Sequence, residues 1–72
     1  MKTTTNKALT TSATIVRDRA RARWEAACAA TNTTPEWSGE YQGRLAWERQ
    51  CEALYMGAQR QLEKIQRRAR AA

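Results

Sequence analysis

Thr31-Asn32-Thr33-Thr34-Pro35-Glu36-Trp37-Ser38-Gly39-Glu40 is the stretch that decides the fold. Its first four residues are turn formers, and Pro35 disfavours helical backbone at Thr34, so a helix arriving from the N-terminal side has to end before it. Thr34-Pro35-Glu36 then has the order of a helix start: a capping hydroxyl, proline at the first helical position, an acid in the first turn. Ser38-Gly39-Glu40 offers a second start, so one short turn and a restart is the expected course of residues 32–39.

Helical patterns lie on both sides of this break. Residues 12–31 read as helix one, with Thr11 or Ser12 as cap, preceded by a Thr-rich flexible lead-in over residues 1–11. Leu9, Ala13, Val16, Ala20, Trp24, Ala27 and Thr31 recur every three or four residues on one side, and Arg17, Asp18, Arg21 and Glu25 lie opposite. The stripe is narrow and mostly Ala, so it permits close approach but contributes little buried area. Residues 40–70 read as helix two. Trp37, Trp47, Cys51, Leu54, Tyr55, Ala58, Leu62, Ile65 and Ala69 share a face, with Arg49, Ala53, Arg60, Lys64 and Arg67 opposite. Leu45 and Met56, near Tyr41, make a second, weaker apolar strip.

Two helices joined by a short proline-containing break fold back on one another, so the expected class is all-α, a single domain built as an antiparallel helical hairpin. With the turn near residues 32–38, Trp24 should face the region of Tyr41 to Trp47, and Val16 that of Cys51 to Tyr55. One layer cannot cover three Trp, two Tyr and the Leu and Ile positions, so two hairpins are expected to pair into a dimeric four-helix bundle.

Composition narrows the chemistry. A chain of 72 residues is marginal without a metal, a disulfide or a partner. There is no His, and Cys28 and Cys51 are the only cysteines, too few N and S donors for a four-ligand zinc site. In the hairpin register above, Cys28 lies opposite Tyr41 and far from Cys51, so both are expected as buried thiols. Without His there is no imidazole to activate a thiolate. Glu48 and Glu52 share a helix face, but nothing around them forms a pocket, a Gly-rich loop or a metal-ligand cluster. No catalytic residue and no cofactor is expected. No apolar run approaches the roughly 20 residues that span a bilayer. Met1-Lys2 leads into Thr and Asn rather than an apolar stretch, which argues against a secretory signal and for a cytoplasmic setting with reduced cysteines.

The net charge is +6, with +4 in residues 1–31 and +2 in residues 32–72. Arg17-Asp18-Arg19-Ala20-Arg21-Ala22-Arg23 and Lys64-Ile65-Gln66-Arg67-Arg68-Ala69-Arg70 concentrate the excess. Arg17, Arg21, Lys64, Arg67, Arg68 and Arg70 are the candidate nucleic-acid contacts. The bland reading makes the first run a solvated face and the second a complement to the helix C-terminus. No helix-turn-helix signature accompanies them, because the connection is too long and the second helix too rich in Glu. An acidic protein surface is the competing partner. A membrane surface fits less well, since the bases flank Ala and Trp rather than Leu- and Phe-rich faces. Trp24 and Trp47 fall on core stripes, whereas Trp37 sits in the entry turn with little core to bury it. Trp37, with Tyr41 and Arg44 beyond it, is the candidate partner-binding set.

Arg23-Trp24-Glu25-Ala26-Ala27, Ala30-Thr31 and Tyr41-Gln42-Gly43-Arg44-Leu45-Ala46-Trp47-Glu48, with the Leu54 region, resemble small phage-encoded helical-hairpin proteins of the quorum-sensing anti-activator type. The shared pattern is an aromatic near the end of helix one, Ala-Thr at its close, and Tyr…Leu-x-Trp opening helix two. It covers about half of the chain, and the arginine run and basic C-terminus depart from it. The resemblance implies a dimeric, non-catalytic inhibitor of a host protein, acting in the host cytoplasm. A basic DNA- or RNA-binding accessory protein is the alternative.

Overall fold

The computed structural model describes the backbone of residues 2–71 and the side chains of residues 7–71. It contains two helices, α1 (Lys2–Asn32) and α2 (Tyr41–Ala71), packed against each other as an antiparallel hairpin. The hairpin is a rod of 56 × 15 × 12 Å.

Helix α1 begins ten residues earlier than the expected start at Ser12. The Thr-rich stretch does not stay outside the helix, and at its end the hydroxyls turn back onto the helix: Thr11 donates to the Lys7 carbonyl at 2.9 Å and, just beyond, Thr14 to the Thr10 carbonyl at 2.8 Å. A threonine that bonds the carbonyl four residues back no longer acts as a cap. Met1 lies outside the described residues. At the other end, α1 stops where Pro35 requires it to. Threonines turn back on the carbonyls of this helix end: Thr31 donates to Ala27, Thr33 shares its hydroxyl hydrogen between Ala29, which also accepts from the Thr33 N–H, and Ala30, and Thr34 donates to Ala30. Of the two possible restarts, Ser38 is the one used. Its hydroxyl accepts from the Glu40 N–H at 3.3 Å, and its carbonyl accepts from the Tyr41 N–H at 3.1 Å. Arg68 and Arg70 close the last turn of α2, favourably placed against its negative end.

The register differs from the expected one. Trp24 stacks on Tyr55 with ring centroids 5.3 Å apart, and Arg17 reaches Gln59, so α2 is displaced by about two turns relative to a tight turn centred near Pro35. The cause is the connection, whose successive turns through Pro35–Ser38 and Ser38–Tyr41 carry the chain further before α2 begins. Cys28 therefore lies near the level of Cys51 rather than opposite Tyr41, and both remain free thiols.

The seam is thin. Ala27, Cys51 and Leu62 are the buried apolar residues among those described, with Thr31 and Thr34 as buried polar ones. Trp47 and Leu54, expected in the core, are 55% and 61% exposed. Their stripe is broader than one neighbouring helix can cover, so half of it turns onto α1 and half is left to one side. The chain exposes 5787 Å² in all, whereas a globular fold of its mass exposes about 4,500 Å².

This division predicts two different outcomes of the same substitution. Leu62→Ala should destabilise by roughly 2–5 kcal/mol, as buried leucines do. Leu54→Ala should cost about 1 kcal/mol or less, because little of it is removed from water. Circular-dichroism melts of the two variants measure the difference, and equal losses would contradict the assignment of Leu54 to an open face.

Candidate interaction surface

The two broad faces of the hairpin are not alike. On one, Trp24 and Tyr55 stack, Arg17 bridges Asp18 and Gln59, and Gln59 donates to Glu63. Cys28 sits there beside Glu48 and Glu52. Its thiol is raised above its ordinary pKa, first by desolvation, then by donating a hydrogen bond to Glu48, then by the negative charges of Glu48, Glu52 and Glu25. Leu45 and Met56 fall on the same side by the helical period, and Tyr41 is half-buried there.

The opposite face is an open apolar groove of about 310 Å³ between the helices. Val16 and Ala20 line it from α1, and Trp47, Cys51, Leu54 and Ala58 from α2, with Arg19 and Arg23 on its α1 rim. A second hollow continues towards the turn past Ala27, Ala30 and Gly43, and Trp47 is common to both. Val16 is 57% exposed and Leu9, one turn-pair earlier on the same stripe, is 50% exposed. Sequence periodicity placed these residues on the core stripe. The signal that half of them would stay open is the excess of apolar positions on α2 over the small residues facing them on α1.

The expected partner-binding residues have different surroundings. Trp37 stands out at the turn, 87% exposed. Tyr41 is half-buried at the start of α2. Arg44 is engaged within the chain: its guanidinium donates to the Thr34 hydroxyl, to the Ala30 carbonyl and to Glu40, the last at 3.0 Å. The possible nucleic-acid contacts divide likewise. Arg17 is held by Asp18 and Gln59, and Arg21 by Glu25 at 3.0 Å. Lys64, Arg67, Arg68 and Arg70 are exposed, with no ion pair among the described residues. The structure therefore does not join the two basic runs into one patch of free cations.

Among the described residues no cluster of three or more Cys, Asp or Glu is placed to hold a metal ion, and no helix is long and apolar enough to cross a membrane. No protein-family profile, curated protein or solved structure matches the chain.

The surroundings of Cys28 carry a prediction. Glu48→Gln removes a hydrogen-bonded negative charge that disfavours the thiolate, so the Cys28 pKa should fall towards its ordinary value. Alkylation of Cys28 by iodoacetamide at pH 8, followed by mass spectrometry, should be faster in the variant than in the wild type, while buried Cys51 reacts slowly in both. An unchanged Cys28 rate would remove Glu48 from its environment.

Proposed function

We propose that this chain is a non-catalytic interaction protein that binds another protein, and that the open apolar groove and the exposed turn tip are the surfaces it uses. The observation that carries the reading is the contiguous open stripe of Val16, Trp47 and Leu54, on a chain whose described residues bury few apolar side chains. A large apolar surface left open on so small a chain marks a docking surface, and a tryptophan at the centre of such a surface is a frequent energetic anchor. Trp37 is the second contact, at the turn. That the bound protein is a host regulator, and that binding inhibits it in the host cytoplasm, rests on the resemblance to phage-encoded helical hairpins alone.

A homodimer belongs to the same proposal, assembled through the face opposite the groove. That face offers Tyr41, Leu45 and Met56 as apolar positions and carries charges of both signs, Arg17 and Arg21 on α1 against Glu48, Glu52 and Glu63 on α2. In an antiparallel pair related by a twofold axis, such a surface complements itself, and the result is a four-helix bundle. Light scattering at micromolar concentration should give about twice the 8.2 kDa chain mass, and Leu45→Glu should halve it. A folded monomer would end this part of the proposal.

Nucleic-acid binding is favoured by one specific observation, the exposed Lys64, Arg67, Arg68 and Arg70 at the end of α2. Binding to a pulled-down partner and to duplex DNA separates the two readings. If the partner is a protein, Trp37→Ala should weaken capture more than replacing Arg67, Arg68 and Arg70 with Gln, and nuclease treatment should leave capture intact. If phosphates are the ligand, DNA affinity should fall linearly with salt on a log–log plot. The triple Gln variant should then flatten that slope by about three contacts, with Trp37→Ala neutral.

A further inference from the structure

The charges around the groove say what kind of partner segment fits it. Arg19 and Arg23 are the charged residues lining it, and neither has an ion pair among the described residues. The carboxylates that could have faced them are occupied elsewhere. Asp18 is held by Arg17 and Glu25 by Arg21, while Glu48 and Glu52 lie beside Cys28 on the other face and Glu63 accepts from Gln59. Glu40 borders the adjoining hollow near the turn, and it is already paired with Arg44. The groove is thus apolar along its floor and basic along its α1 rim.

Its dimensions suit a helix. The α2 side runs from Trp47 to Ala58, which is about 16 Å or three turns at the helical rise. Arg19 and Arg23 are four residues apart on α1, so they repeat at the spacing at which a helix lying alongside presents residues i and i+4. A helix docking its apolar side into a groove does so through anchors at i, i+3 or i+4, and i+7.

From these observations we propose that the groove takes one amphipathic helix of the protein partner, about three turns long, whose apolar stripe is flanked by Asp or Glu. The inference rests on the protein-binding reading above and specifies the segment bound. A second copy of this chain is a poorer occupant. Laid groove to groove, it brings two more unpaired arginines to the first two and offers no free carboxylate among the lining residues. The helix fills the hollow beside Trp47 and Leu54 with its aliphatic side chains, and its carboxylates meet Arg19 and Arg23 at the rim.

The test is selection from a displayed library of 14-residue helical peptides with a fixed leucine stripe and Glu, Gln or Lys at the flanking positions. Peptides are selected on the intact wild-type chain and on the Arg19→Glu, Arg23→Glu double variant. The wild type should enrich Glu at the flanks and bind the Glu-flanked peptide roughly tenfold more tightly than its Lys-flanked counterpart, a preference that shrinks with salt. The double variant should reverse the preference. Leu54→Glu, at an exposed position, should keep the helical circular-dichroism spectrum and lose both peptides. Equal affinity for Glu and Lys flanks, binding unaffected by Leu54→Glu, or no peptide selected at all would overturn the proposal. So would a dimer that Leu54→Glu dissociates, since the groove would then hold a second copy. Capture of a protein partner that depends on Trp37 and ignores Leu54→Glu would overturn this inference alone and leave the protein-binding reading standing.

Discussion

The clasp at the turn governs the rest of the molecule. Thr31, buried near the end of α1, shares its one hydroxyl hydrogen between the Ala27 carbonyl on its own helix and the Arg44 carbonyl on α2, at 3.0 and 3.2 Å. Arg44 answers from α2, its guanidinium reaching the Thr34 hydroxyl and the Ala30 carbonyl. Each such bond contributes only about 1 kcal/mol net. Their importance is geometric. The seam they close buries few apolar side chains, Ala27, Cys51 and Leu62 among the described residues, and where it is lined by residues as small as Ala27 sliding changes little buried area. Directional bonds between fixed atoms do not allow it, so the register is set at the turn and transmitted along two stiff helices.

That register decides which aromatic residues find company. Once Thr31 is beside Arg44, Trp24 comes level with Tyr55 and the rings stack. Trp47, two turns nearer the connection, lines the groove and the hollow beside it together with small residues of α1, among them Ala27 and Ala30. Small side chains bring the helices together but leave the indole standing above the seam. The same short residues that permit close packing of α1 on α2 therefore create the groove. Buried Ala27 and open Trp47 are two results of one choice of residue size on α1.

Much of this was legible in the sequence, and the failures have definite causes. The break before Pro35, the restart at Ser38 and the apolar periods on both sides are local signals, and each is used. The start of α1 is not legible because a threonine can cap a helix or bond back inside one. Only the accepting carbonyl tells which, as Thr11 on Lys7 shows. The register was missed because it depends on how far residues 33–40 carry the chain, which no periodicity encodes. Trp24 and Trp47 occupy equivalent places on a helical wheel, yet one is covered and the other is not. A wheel gives the direction of a side chain and says nothing of the size of what it meets. Arg44 was assigned to a partner for a similar reason, since its contacts lie across the turn at Ala30 and Thr34.

The net charge of +6 acquires meaning only when it is placed. Arg17, Arg21 and Arg44 are neutralised by carboxylates close in sequence, at positions 18, 25 and 40. Among the bases left without an ion pair in the described residues, Arg19 and Arg23 stand at the groove rim, and Lys64, Arg67, Arg68 and Arg70 stand at the end of α2. These two places suit different ligands. Phosphates can satisfy the end of α2, where the cations are exposed. They cannot satisfy the groove, because a hydrated anion leaves Trp47 and Leu54 in water and the apolar floor unfilled. An apolar surface beside unpaired cations calls for a ligand that is itself apolar with anionic edges, and among protein segments that is an acidic amphipathic helix.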